Sequence, residues 1–200
     1  MQMIERVADL EALYDPVVPG ALEKVLGHLS PLYEKWIGVS RFVVLSTVGP
    51  NGTDASPRGD SGSVVRVVDR HTLWLPDWRG NNRLDSLRNI VEDGRVSLMF
   101  LVPGSNNVVR VNGTAQLTAD NNVTGQFQRG GKVPRTVIMV TVTEVYFQCA
   151  KALLRSRLWD SGDESDGVPS AGEFIGEVRI GFDTQAYDEG YAEYAKDRMW

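Results

Sequence analysis

Two short stretches concentrate the residue types that could grip an anionic ligand, DASPRGD at 54–60 and LPDWRGNNR at 75–83. In the second, Arg79 and Arg83 flank Asn82, and Leu84, Leu87 and Val91 follow at helical spacing up to Gly94. This predicts a helix with Asn82 as its cap, Asp85 three residues on in a capping-box position, and Gly94 as its stop. A helix amino terminus exposes unpaired N–H groups and a partial positive charge, and two guanidiniums beside it can fork onto phosphate oxygens. The plain alternative is a pair of solvated arginines next to a capped helix. In the first stretch Pro57 removes a donor, Gly59 allows close approach, and Arg58 is fixed between them. That pattern suits backbone pressed against a ligand, or an ordinary turn. Because TLWLPDWRGNNR passes from a strand straight towards the helix, the backbone of Leu75, Pro76 and Asp77 is available to a flat ring.

The rest of the chain offers little other chemistry. His28 and His71 are isolated, Cys149 is the single cysteine, and no Cys/His spacing for zinc occurs. No metal site is expected, and redox chemistry must come from a cofactor. Cys149, following YFQ, is expected to be a small buried hydrophobe with no catalytic role. Lys151, Arg155 and Arg157 are read as a solvated helix face, and Trp74, Trp78 and Trp159 as packing aromatics.

The elements that must position these residues are mostly strands. From Arg41 onwards, FVVLSTVG, SVVRVVD, HTLWLPD, RVSLMFLVPG, NVVRVNGTAQL and TVIMVTVTEVYF are runs rich in Val, Thr and aromatics, bounded by Gly, Pro, Asn or Asp. Six such runs imply an antiparallel sheet or barrel, and GPNG at 49–52 turns the first run into a short extra strand around Thr53–Ser56. One domain is expected over 1–200: covering helices over 1–40, with Leu22, Val25, Leu26 and Leu29 on one side, a barrel over 41–160, and an acidic loop and weakly helical tail over 161–200.

At 200 residues and 42% hydrophobic content the chain can bury a substantial core. Its net charge of −5 is uneven, since 160–200 carries eleven acidic and three basic side chains. Lys and Arg are scattered elsewhere, so no nucleic-acid partner is expected. No run approaches 18 apolar residues and charges interrupt the opening segment, so no membrane partner and a cytoplasmic location are expected.

In content and order, ASPRGD, LPDWRGNNRLDSLRNI, RVSLMFLVPG and NVVRVNGTAQL resemble the split barrels of the pyridoxamine 5′-phosphate oxidase-like family, over roughly residues 40–160. The resemblance is to the branch known only for binding flavin. WRGNNR stands where the oxidase proper has its tyrosine-asparagine and serine-arginine-lysine phosphate motif, so oxidation of vitamin B6 is not implied. The resemblance implies a mainly β (α+β) fold, a six-stranded antiparallel split β-barrel of FMN-binding type with peripheral helices, and FMN held at a homodimer interface. By position, Ser56, Pro57, Arg58 and Gly59 would line the isoalloxazine edge. Leu75, Pro76 and Asp77 would follow the ring towards the ribityl chain, and Arg79, Asn81, Asn82 and Arg83 would hold the phosphate. Arg110, Asn112 and Gly113 would approach from the second subunit. The implied activity is a flavin-dependent oxidoreductase acting with a small-molecule substrate or electron donor. The alternatives are a non-catalytic flavin-binding or sensing module, or a barrel holding deazaflavin or haem, the last weakened because neither histidine lies in the matched stretches.

Overall fold

The computed structural model describes residues 1–200, and the order of elements follows the apolar patterning closely through the middle of the chain. Three short helices, α1 (Val7–Glu11), α2 (Pro19–Glu23) and α3 (Pro31–Val39), precede strands β1 (Phe42–Gly49), β2 (Gly52–Gly59), β3 (Arg66–Asp69) and β4 (Thr72–Asp77). Helix α4 (Asp85–Glu92) leads to β5 (Arg95–Leu101) and β6 (Val108–Thr118). A single turn, α5 (Asn121–Thr124), precedes β7 (Thr136–Gln148), and α6 (Lys151–Ser156), α7 (Ala171–Val178) and α8 (Thr184–Lys196) follow. No helix is long and apolar enough to cross a membrane.

All seven strands join one antiparallel sheet in the order β2-β1-β5-β6-β7-β4-β3. The count is seven because the segment after GPNG is a full strand of eight residues, in register with β1 from Phe42↔Gly59 to Gly49↔Gly52. Alternation decides the faces. Val43 and Leu45 on β1 face Phe100 and Leu98 on β5, which face Val109 and Val111 on β6, and all six are buried. They belong to a core cluster of 19 buried residues that also takes in Leu73 and Leu75 of β4 and Ile138 and Val140 of β7. The sheet curls around this core as a split barrel with peripheral helices. Its two ends approach so closely that Arg58 on β2 forms an ion pair with Asp77 on β4, although four strands separate them in the ladder.

Three local expectations change. Residues 24–29 are not helical: Leu22 is exposed, and Leu26 pairs through its backbone with Val145 in both directions, at 3.0 and 2.8 Å. The ladder of β7 runs past the start of β4, and its free backbone groups recruit this segment. Helix α4 begins at Asp85, with Leu84 in the cap position at φ 63° and Asn82 at φ 60°, so Asn82 caps nothing. Its buried residues are Ser86 and Ile90, whereas Leu84 and Val91 are exposed. Two hydrogen bonds set that rotation: Ser86 Oγ donates to Asp54 Oδ2 at 2.5 Å, and Asn89 Nδ2 donates to Thr47 Oγ1 at 3.0 Å. Gly94, at φ 80°, does end the helix, in a conformation open to glycine at little cost.

The acidic tail is the third change, because it forms a defined helical hairpin. Ser170 and Glu173 make a reciprocal capping box on α7, and Asp188 of α8 accepts from the Gly172 N–H at 2.9 Å and from Ser170 Oγ. A side chain at Gly172 would lie 2.6 Å from Thr184 O, so the two helices cross where one of them has none.

Candidate functional site

The β2–β4 seam is closed by side chains, where other neighbouring strands share a backbone ladder. Ser56 and Arg58 register with Leu45 and Val43, so they point towards the barrel interior. Asp77 lies two residues beyond the buried Leu75 and shares its face. Arg58 gives Nη1 to Asp77 Oδ1 and Nε to Ser56 Oγ, the latter at 3.2 Å, with both members of the ion pair largely covered. The partner of Arg58 is thus Asp77, nineteen residues away, and the nearer carboxylate of Asp60 has a separate function.

Asp60, at the end of β2, is a second knot on the same seam. Its carboxylate is only 3% exposed. It accepts from Trp78 Nε1 at 3.2 Å, from Arg129 Nη2 at 3.2 Å, and from the Gly62 N–H at 3.2 Å. A carboxylate removed from water needs such donors, and here they come from the end of β4 and from the segment before β7. Arg66 reaches the same segment through the side chain and carbonyl of Gln126, with its guanidinium 5.2 Å from the centre of the Phe127 ring.

Between these groups lies a cavity of about 360 Å³, bordered by Asp60, Arg66, Pro76, Trp78, Phe127 and Arg129. Such a volume falls within the range of small-molecule and cofactor sites. Two aromatic rings and two guanidiniums suit a flat, anionic guest. The ring of Trp200 meets Trp78 edge-on at 5.3 Å, and the Asp197 carbonyl accepts from Lys132 Nζ at 2.7 Å, so the end of the helical hairpin rests at the rim. Arg66, Phe127 and Arg129 were not singled out from the sequence, and Trp78 was read as a packing aromatic although stacking on a ligand was open to it. The available signal was QFQR at 126–129, an aromatic between polar groups in an interstrand loop.

The expected site residues separate into three groups. Ser56, Arg58 and Asp77 meet at the seam, with Pro57 and Gly59 exposed on β2 and Pro76 on the cavity wall. Leu75 turns its side chain into the core, 1% exposed, so only its backbone can meet a ligand. The β3 ladder stops at Arg66↔Trp74, which leaves the edge of β4 from Leu75 to Asp77 without a strand beside it.

Arg79, Asn81, Asn82 and Arg83 form an exposed loop just beyond β4. Asn81 Oδ1 accepts from the Arg83 N–H at 3.0 Å, and Arg83 Nε pairs with Asp85 at 2.5 Å. The arginines therefore sit beside an irregular bend and not on a side-chain-capped helix start.

Arg110, Asn112 and Gly113 lie apart from both groups, on the central strand β6. The side chains of Arg110 and Asn112 share the outward face, and within one chain they do not meet the seam. Arg110 stacks over Tyr146 at 5.3 Å. Asn112 is committed to its neighbours, accepting from Ser97 Oγ at 2.8 Å and donating to Glu144 at 2.6 Å. Gly113 marks a β-bulge, where a Cβ would collide with Thr141 O. Cys149 is exposed, contrary to the burial expected of it, because β7 ends at Gln148 and the chain turns away from the sheet.

Solved structures with related folds include a point variant of HupZ from Group A Streptococcus, 17% identical over 60% of this chain and 98% of that one, with a TM-score of 0.50. General Stress Protein 26 from Bacillus anthracis is 17% identical over 56% and 88% of the two chains, with a TM-score of 0.43. An FMN-binding protein from Syntrophomonas wolfei is 15% identical over 58% and 83%, with a TM-score of 0.45. No curated protein sequence matches the chain. The family model for pyridoxamine 5′-phosphate oxidase matches residues 29–149, from the segment joining α2 to α3 through the whole sheet, and the chain belongs to that family.

Proposed function

We propose that this protein binds FMN at the β2–β4 seam and acts as a cytoplasmic flavin-dependent oxidoreductase, working as a homodimer on a small-molecule substrate or electron donor. The observation that carries this reading is the inward Arg58–Asp77 pair across the β2–β4 seam, supported by a cavity of about 360 Å³ bordered by Pro76 and Trp78 and by the exposed arginine-bearing loop at 79–83 that follows Trp78 in the chain. The donor set fits the group. Arg79 and Arg83 supply guanidiniums for a phosphate, and Asn81 and Asn82 supply amides. Thr136 Oγ1, buried in register with Asp77, has no hydrogen-bond partner within the chain and is free for a ribityl hydroxyl or ring atom.

When bound, FMN would supply two-electron redox chemistry that none of the side chains can provide. The side chains' work is to hold and bias. Arg58 sets positive charge at the seam, moderated by Asp77, and the walls of Trp78 and Phe127 keep water from the guest. Arg83 exchanges its exposed partner Asp85 for a phosphate, at a small cost because exposed pairs contribute about 0–1 kcal/mol. Arg110, outside the seam of its own chain, would serve the site of a second copy.

The deciding measurement is an absorbance spectrum taken after adding FMN and desalting. Retained bands near roughly 370 and 450 nm support the reading, and a colourless protein overturns it. Arg83→Ala should weaken retention about tenfold or more, since a charge-assisted contact contributes about 1.5–3 kcal/mol. Unchanged affinity would remove Arg83 from the phosphate site. The contact of Trp200 with Trp78 favours one second reading, binding without turnover, in which the hairpin reports occupancy. Bound flavin that no donor bleaches would select it.

A further inference from the structure

The helical hairpin α7–α8 is built to dock, yet it leaves its apolar side chains uncovered. Phe182, Tyr187, Tyr191 and Tyr194 form a continuous row of rings with successive centroids 5.4, 5.9 and 6.4 Å apart. Tyr191 and Tyr194 are 52% and 58% exposed, and Phe174 and Val178 of α7 are exposed as well. The only buried residue in either helix is Gly172. Helices of 8 and 13 residues are marginal in water without a surface to pack on. Seven carboxylates and three cations lie between 171 and 200, and four more carboxylates precede them in the 160–170 linker.

The complementary surface is α6. It presents Lys151, Arg155 and the adjoining Arg157 with no carboxylate from 149 to 159, and it exposes Leu154 and Leu158, 55% and 49%. Its end is tied elsewhere, Trp159 Nε1 donating to Ser105 O at 2.8 Å, while the hairpin is tied at Trp78 and Lys132. Guanidiniums already sit over both ends of the aromatic row, Arg179 over Phe182 at 5.5 Å and Arg198 over Tyr194 at 4.0 Å, so these rings accept cations.

We infer that the acidic aromatic hairpin of one copy docks on the basic, leucine-bearing α6 of a second copy, so that the dimer is strapped by exchanged arms. Each arm thereby covers apolar surface that one chain alone leaves in water, and opposite charges set the register. The inference needs the second copy of the proposed dimer, but no bound flavin.

The test mixes natural-abundance and 15N-labelled full-length chains by unfolding and refolding them together, with mixed dimers confirmed by native mass spectrometry. Carbodiimide then joins amines directly to adjacent carboxylates. Lys151 should link to Glu189 or Glu193, with about half of the linked pairs isotopically mixed, and the yield should fall several-fold between about 0.05 and 0.5 M salt. Tyr191→Ser with Tyr194→Ser should lower the yield and leave the unfolding midpoint of the barrel unchanged. Links confined to one isotope would show the arm folding back on its own chain and overturn the inference. A dimer without such links overturns the arm alone, whereas a monomer in sedimentation overturns both arm and dimer.

Discussion

The barrel and the α7–α8 hairpin are both regular and both well bonded internally, but they are stabilised in opposite ways. The barrel buries a cluster of 19 apolar residues and closes its β2–β4 seam with the largely covered Arg58–Asp77 pair and the buried, Arg129-paired carboxylate of Asp60. The hairpin buries a single glycine and relies on a capping box and on the grip of Asp188. Burying a Leu or Phe side chain contributes about 1.5–3 kcal/mol, several times what an exposed cap or ion pair adds. Barrel geometry is therefore set by the folding of one chain. The hairpin is shaped by its own polar contacts and meets the barrel at its end, through Trp200 on Trp78 and the Asp197 carbonyl on Lys132.

The most forceful way to break this comparison is to truncate one ring in each region. Phe100→Ala, at a fully buried position, should cost about 3–5 kcal/mol in denaturant unfolding, while Tyr191→Ala should change the unfolding free energy of the barrel by about 0.5 kcal/mol or less. Equal losses would mean that the hairpin is part of the core. A subtler pair adds the same methyl group to two crowded glycines. Gly113→Ala drives a Cβ into Thr141 O at the bulge and should lower global stability by about 1–3 kcal/mol. Gly172→Ala meets Thr184 O and should loosen the helix crossing, seen as faster amide exchange in α7 with an unchanged midpoint.

The smallest effect concerns pH. Arg95, through its side chain and its N–H, holds the Asp93 carboxyl down at about 2, from an ordinary 3.8. Because the folded value is the lower one, the stabilisation is complete above about pH 4 and is lost as pH falls from 3.8 towards 2. Asp163, in the linker to the hairpin, is also lowered, by the hydroxyl and N–H of Ser165. Carboxyl NMR should place Asp93 near 2 and Asp163 below the ordinary range. A value of 3.8 for Asp93 would mean that the turn before β5 is not held in solution.

The strands were legible because alternating Val, Leu and Thr leaves few options once one face must be buried, and the GPNG turn fixed the first hairpin. The candidate loop and seam were legible as composition, through proline, glycine and arginine at unusual density. Their wiring was not. Arg58 and Asp77 meet only because the sheet curls, which no local pattern encodes. Asp60 reads as a turn residue until the fold brings Trp78 and Arg129 to it. The rotation of α4 was missed because Asn82 and Leu84 take left-handed conformations, an arrangement chosen by Asp54 and Thr47 from other strands. For the hairpin a signal was present, since SAGE at 170–173 spells a capping box, but it falls at the end of the acidic, glycine-rich stretch read as a loop, and the tail after it read as only weakly helical.

One consequence reaches beyond ligand binding. Strand β2 ends the sheet, and an open strand edge is a template on which further chains can polymerise into fibres. Here that edge carries Pro57, which has no N–H to offer an incoming strand, and Arg58, whose charge is turned inward to Asp77. The stretch expected to contact a ligand thus also lacks a donor that an added strand would need, so its composition bears on edge protection as well as on the proposed site.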